Sequence, residues 1–327
     1  MECVDFELIE NIRDHINRVE KHISLLKNHS KWQMLVSSLD TIEDTAWAIE
    51  YYNTAEFPDD FKGKYLFVYG LLQSLFVQQD ALVSICKALF DKDIILNRDY
   101  PDVHKVRELR NDVVGHPTSR RNSKDFIRLI QCDIRKYDLT YIKFDGEKDE
   151  SCIEKIDVKK AIEAVSICVN SVLKKAGEDL DIEFEEYLAA HKERKMKEIF
   201  SLLSYAKEKT FEESSLSDWG YNETKSMVRK CEEELKLRYG KADAIDSYKY
   251  LLLEIHELYS LIDNVHDTCQ RDSVELFSKY LLQLLFIKLH DLENLCEETD
   301  YYFQNNGVEM ELCPIDGPVE IEFIAAN

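Results

Sequence analysis

Residues 64–90 read KYLFVYGLLQSLFVQQDALVSICKALF, nearly all apolar and with no proline. A run of this length and character predicts a helix buried on most of its surface, the central element of a helical bundle. The rest of the chain agrees with a mainly α protein. Its 327 residues include only 9 Gly and 5 Pro, too few turn residues for an all-β fold of many short strands. Hydrophobic residues make up 45% and there are 17 Tyr and 15 Phe, a composition that folds rather than staying disordered. The length points to two domains.

Apolar spacing places further helices on both sides of the central one. Phe6, Ile9, Ile12, Ile16, Val19 and Ile23 predict a polar, charged helix over 1–29. Leu35, Leu39, Ile42, Ala46 and Ile49 predict one over 32–52. Segment 102–114 is a shorter helix, stopped by Gly115 and Pro117. The period then changes. Phe126, Arg128 and Ile130, followed by the alternation of Leu139 to Phe144 and the pair Asp145-Gly146, predict a small β-hairpin or sheet. Helix resumes over 156–176. The acidic stretch 177–186, GEDLDIEFEE, is expected to be a joint between a first domain, 1–180, and a second, 181–327. In the second domain, helices are expected over 187–209, 221–239, 243–267 and 271–303, with Asp218-Trp219-Gly220 as a turn. Val308, Met310 and Leu312, then Val319, Ile321 and Phe323, alternate with Glu on either side of CPIDGP, predicting a terminal β-hairpin with one apolar and one acidic face.

The start, MECVDFELIENIRDH, is acidic where a secretory signal needs a positive region and an apolar run. Tyr280 to Leu289, a strongly apolar stretch, is broken by Gln283 and Lys288 and is far short of the ~20 residues that span a bilayer, and the longer run over 64–90 reads as a buried bundle helix. The expected location is therefore the cytoplasm, without a membrane partner. Nine Cys, scattered and without a CxxC pair, are expected to be reduced and mostly buried, and no metal or other cofactor is expected. No Gly-rich nucleotide loop is present. Asp263 and His266 have the spacing of a metal-binding pair, but no second such pair accompanies them, so they read as a solvated polar face.

The net charge of −22 argues against a general nucleic-acid coat. Its distribution qualifies that. Residues 181–327 hold 32 acids and 16 bases, a charge of −16, leaving −6 for the first 180. Residues 104–136 hold nine bases against four acids, a +5 window that either forms a phosphate-binding face or is a solvated loop with surface Arg, the reading composition alone favours.

Inside that window lies Arg107-Glu-Leu-Arg110-Asn111-Asp112-Val-Val-Gly115-His116-Pro117. Arg110 offers a planar cationic fork for phosphate, Asn111 a neutral donor and acceptor, and His116 a group that exchanges protons near neutral pH. On a straight helix six residues turn through ~240°, so Arg110 and His116 would not share a face. A helix end at Gly115 could swing them together, or the pair could complete a site across a dimer interface; otherwise they are a helix C-cap and a surface His. On the central helix, Tyr69, Gln73, Gln78 and Asp80 form either a core network or the wall of a cleft, and Asp80 could pair with Arg107 or Arg110.

The sequence RNDVVGH resembles the Arg-x(4–6)-His signature of the HEPN superfamily, with the usual polar residue after the Arg. The likeness extends over about residues 30–180: the long helix with Tyr69-Gly70, Gln73, Gln78-Gln79 and Asp80 before the motif, and GHPTSR, the Phe126–Phe144 strands and Ile156-Asp157-Val158 after it. The resemblance implies a HEPN-like helical bundle that forms a homodimer, bringing two Arg/His motifs into one cleft. It also implies metal-independent RNA cleavage in active members. His116 would then transfer protons, Arg110 would bind phosphate and stabilise the pentacoordinate transition state, and Asn111 would orient His116 or the phosphate. Arg107, Arg120, Arg121 and Lys124 would add RNA contacts, and the product would carry a 2′,3′-cyclic phosphate. RNA is required because DNA lacks the 2′-hydroxyl. Many such relatives are bacterial toxins or antiviral effectors with an antitoxin or defence partner protein. Others are non-catalytic dimerisation or binding modules.

Overall fold

A computed structural model describes residues 3–115, 126–212, 217–268 and 272–310, the side chains of 266–268 and 272–275 excepted. The protein is mainly helical with one three-stranded antiparallel sheet. It divides into two compact units, Met1–Asp181 and Ile182–Asn327.

The first unit opens with α1 (Phe6–Asn17) and α2 (Val19–Leu26). The single helix expected over 1–29 is broken at Arg18, whose ψ of 139° is incompatible with helix. Helix α3 (His29–Thr54) then packs along α4 (Phe61–Phe90). Helix α4 begins where the Asp60 carboxylate accepts the Gly63 N–H (2.9 Å), satisfying an otherwise orphaned donor. It is long and apolar enough, by length and composition, to cross a membrane. Here its Leu72, Leu75, Leu82 and Ile85 are buried with Leu35, Leu39 and Ile42 of α3. The short α5 (Leu96–Asp99) leads into α6 (Pro101–Arg110), with Pro101 at the first helical position, where its missing N–H costs nothing.

Strands β1 (Phe126–Leu129), β2 (Asp138–Asp145) and β3 (Glu150–Asp157) follow in the order β1-β2-β3. The turn between β2 and β3 is pinned by the Asp145 carboxylate, which accepts the N–H groups of Glu147 and Lys148, and closes through Asp149 at a φ of 57°. Strand β3 takes in Ile156 and Asp157, where the sequence suggested a helix start. Asp157 instead caps α7 (Val158–Lys192) by accepting the Lys160 N–H. Helix α7 runs unbroken through 177–186, so the expected acidic joint is helical. It has no proline, and Leu180 and Leu188 keep the apolar spacing and are buried.

The second unit continues with α8 (Leu203–Phe211), α9 (Ser217–Tyr239), α10 (Asp246–Thr268) and α11 (Asp272–Gln304). Asp218, Trp219 and Gly220, expected as a turn, lie in the first turn of α9. The guanidinium of Arg238 is fully buried, with Nε on Glu234 (3.1 Å), Nη2 3.7 Å from Asp300, and the group set over the Phe303 ring. The Asp300 carboxylate also accepts the Met196 and Lys197 N–H groups. Tyr248 donates to the Leu295 carbonyl. The expected terminal hairpin lies outside the described residues, apart from residues 308–310, which form no strand.

Candidate functional site

Helix α6 buries Val103 and Val106 and sets Arg107 and Arg110, one turn apart, against α4. The facing row on α4 is Gln73, Phe76 and Asp80, spaced i, i+3, i+7 and so on one side of that helix. The Gln73 side-chain carbonyl accepts both Nε (3.0 Å) and Nη2 (2.7 Å) of Arg110. The Arg110 guanidinium carbon lies 4.3 Å from the centre of the Phe76 ring, and that of Arg107 lies 4.0 Å from the same centre. Phe76 thus holds two guanidinium groups through its electron-rich π system. Arg107 completes its contacts with Asp80 at 2.7 Å.

Asp80 has therefore chosen Arg107. Among the described residues, the hydrogen bonds of Arg110 go only to neutral oxygens: Gln73, and Asn111 Oδ1 at 3.2 Å from Nη1. The consequence is electrostatic. The Arg107 charge is largely offset by a carboxylate, whereas Arg110 is oriented without being neutralised by these partners, so its field remains available to an anion.

The α-helix ends at Arg110, and Asn111–Gly115 form a π turn. A π turn closes hydrogen bonds from i to i+5, so it is wider than an α turn and is frequent at functional sites. It keeps Val113 in the core at 2% exposure while turning the backbone at Gly115 back onto Arg110. A Cβ at position 115 would stand 2.9 Å from Arg110 Nη1. Glycine leaves the guanidinium its place there without a shift. Strand β1 borders this turn. In the neighbouring strands Tyr141 donates to Glu154, and burial, then that carboxylate, pushes the phenol pKa well above its ordinary value.

The structure thus brings together Arg107, Arg110 and Asn111 of the expected site. His116, Arg120, Arg121 and Lys124 lie outside the described residues. Gln73 stood out in the sequence only as a polar position on an apolar helix, and Phe76 did not stand out. The signal that pairs them with the motif is the i, i+3, i+7 row.

Elsewhere the chemistry is occupied. Asp263 accepts from Tyr221 (2.9 Å) and Lys225 (2.8 Å), and His256 pairs with Glu232 at 2.8 Å. Among the described residues no cluster of His, Cys, Asp and Glu converges as a metal site. Cys86 and Cys168 are buried, and burial pushes their thiols up to about 11 and about 12, far from a reactive thiolate. A cavity of about 490 Å³ in the second unit is lined by Lys197, Glu297 and Asp300. There Lys197 is paired to Glu297 at 2.6 Å and Asp300 caps backbone N–H groups. The chain matches no protein-family model, no curated protein and no solved structure.

Proposed function

We propose that the first unit is a HEPN-like, metal-independent endoribonuclease, acting in the cytoplasm as a homodimer within a bacterial toxin or antiviral defence system. The observation that carries this reading is the state of Arg110. It is fixed by Gln73, Asn111 and Phe76, receives no carboxylate from the described residues, and stands one π turn before His116. A purely structural arginine is better served by the arrangement at Arg107, which has its carboxylate.

In this reading Arg110 binds the non-bridging oxygens of the scissile phosphate. The ribose 2′-oxygen attacks phosphorus as its proton passes to a neutral His116. The 5′-oxygen leaves with a proton from a protonated His116, the second copy of the motif supplying the other histidine. Charge builds on the equatorial oxygens, where a preoriented guanidinium stabilises the transition state more than the ground state. Asn111 orients His116 or the phosphate, and Arg107, Arg120, Arg121 and Lys124 lend positive charge along the RNA backbone.

The test is an RNA oligonucleotide carrying a single 2′-deoxy nucleotide at the mapped cut site, incubated with the protein in EDTA. Cutting should vanish at that position alone, and the all-ribose product should end in a 2′,3′-cyclic phosphate. Cutting that persists at the deoxy position would exclude 2′-hydroxyl attack. An intact all-ribose RNA would favour a non-catalytic binding module.

A further inference from the structure

Helix α11 carries two apolar faces. One is buried within the second unit, where Leu285, Leu289 and Leu292 have 0% exposure. The other is open: Phe277, Tyr280, Leu284 and Ile287 are 52, 56, 43 and 57% exposed, with Leu276 beside them at 56%. Their 3-4-3 spacing is that of a coiled-coil seam, and a helix apolar on both sides is normally covered on both. Helix α10 widens the patch. The Glu254–Lys288 ion pair (2.7 Å) sets the register of the two helices. Two turns on from Glu254, Leu261 is 48% exposed, on the part of α10 that runs opposite the Tyr280 end of α11.

The area decides what such a face needs. Six large residues, each about half exposed, present ~600 Å² if a fully exposed one offers ~200 Å². Monomeric proteins rarely leave that much contiguous apolar surface bare. Homodimer interfaces are about 65% apolar, so with a polar rim this face corresponds to ~900 Å² per partner. A stable interface takes about 800 Å² per partner. The pattern also matches itself. The seam is symmetric about Leu282, so a second helix laid antiparallel sets Phe277 over Ile287 and Tyr280 over Leu284 and leaves none of the seam uncovered. Beyond Ile287 the exposed positions turn polar, with His290 and Asp291.

We propose that this face of α10 and α11 is a two-fold interface with a second copy of the chain, its axis passing near Leu282. It is separate from the bundle cleft invoked for RNA cleavage and does not depend on that activity. The partners meet isologously, each burying the same surface.

A photo-crosslinking amino acid tests it: Tyr280→p-benzoylphenylalanine in the full chain, with ¹⁵N-labelled and unlabelled protein mixed before irradiation. An isotopically mixed adduct is expected, mapping to residues 281–287 of the other copy. Adding Leu284→Glu should lower its yield at least fivefold while the circular dichroism spectrum stays unchanged. No mixed adduct, one mapping elsewhere, or one insensitive to Leu284→Glu would overturn the proposal and leave the face to a different partner.

Discussion

Gln73 on α4 and Arg110 on α6, 37 residues apart in sequence, are joined by two hydrogen bonds to one oxygen: the Gln73 carbonyl accepts Arg110 Nε at 3.0 Å and Nη2 at 2.7 Å. A neutral acceptor orients the guanidinium and leaves its charge unspent. In the proposed reading, position 73 trades stability against anion binding.

Gln73→Glu should expose that trade. The new carboxylate makes a charge-assisted fork with Arg110, raising stability by about 1 kcal/mol in urea titrations. RNA affinity and cleavage should fall at least tenfold, because the phosphate now competes with a fixed anion. Greater stability with undiminished RNA affinity would show that the Arg110 charge is not used.

Gly115→Ala should act on the same group from the other side. Its Cβ would stand 2.9 Å from Nη1, and the guanidinium, held by Gln73 and Phe76, must shift to admit it. The expected thermodynamic cost is small, under ~1.5 kcal/mol, since the displaced group is a side-chain end. Cleavage should drop at least tenfold through kcat more than KM. Unchanged kinetics would mean that the contact is incidental.

Phe76→Leu tests the two guanidinium contacts. Leucine keeps much of the apolar burial and removes the ring quadrupole. A loss of about 1–2 kcal/mol is expected from two cation–π contacts. Because α6 loses its hold on α4, amide exchange over Val106–Val113 should quicken. A neutral substitution would assign the pairing to packing alone.

In the second unit, burial and then the nearby Arg238 cation hold the His191 imidazole below its ordinary pKa. The ring packs on Tyr187 and Phe303, and its Nδ1 has no partner among the described residues. The unfolded chain takes up a proton near pH ~6.5 that the folded one resists, so the unfolded state binds more protons. The stability from a neutral His191 is complete above pH ~6.5 and falls away below it. Denaturant midpoints measured from pH 7.5 to 5 should decline less steeply in His191→Leu than in the native protein; parallel curves would remove His191 as a source of acid sensitivity.

The helices were legible where packing and local chemistry agree. The run from Lys64 to Phe90, nearly all apolar and free of proline, is helix throughout, as its length suggested. The misreadings have separate causes. Gly220 looked like a turn residue, but a Cβ there would lie 2.5 Å from the Ala206 carbonyl; it is glycine because α8 passes close to α9. The acidic stretch 177–186 looked like a linker because charge masked the buried spacing of Leu180 and Leu188. At the site, Arg107, Arg110 and Asn111 stood out in the sequence, yet the choice of Asp80 for Arg107 and Gln73 for Arg110 depends on how α6 crosses α4. Both carboxylate pairings satisfy the same sequence, and only the crossing separates them.

The most direct measurement compares the wild-type chain with Arg110→Ala and His116→Ala on a structured RNA in EDTA, followed by gel and by mass spectrometry of the new ends. The expected result is cleavage by wild type with 2′,3′-cyclic phosphate ends, lost at least ~100-fold in each variant while the helical signal and melting temperature hold. Intact RNA with the wild-type protein, or cleavage that survives both substitutions, would contradict a ribonuclease centred on Arg110 and His116.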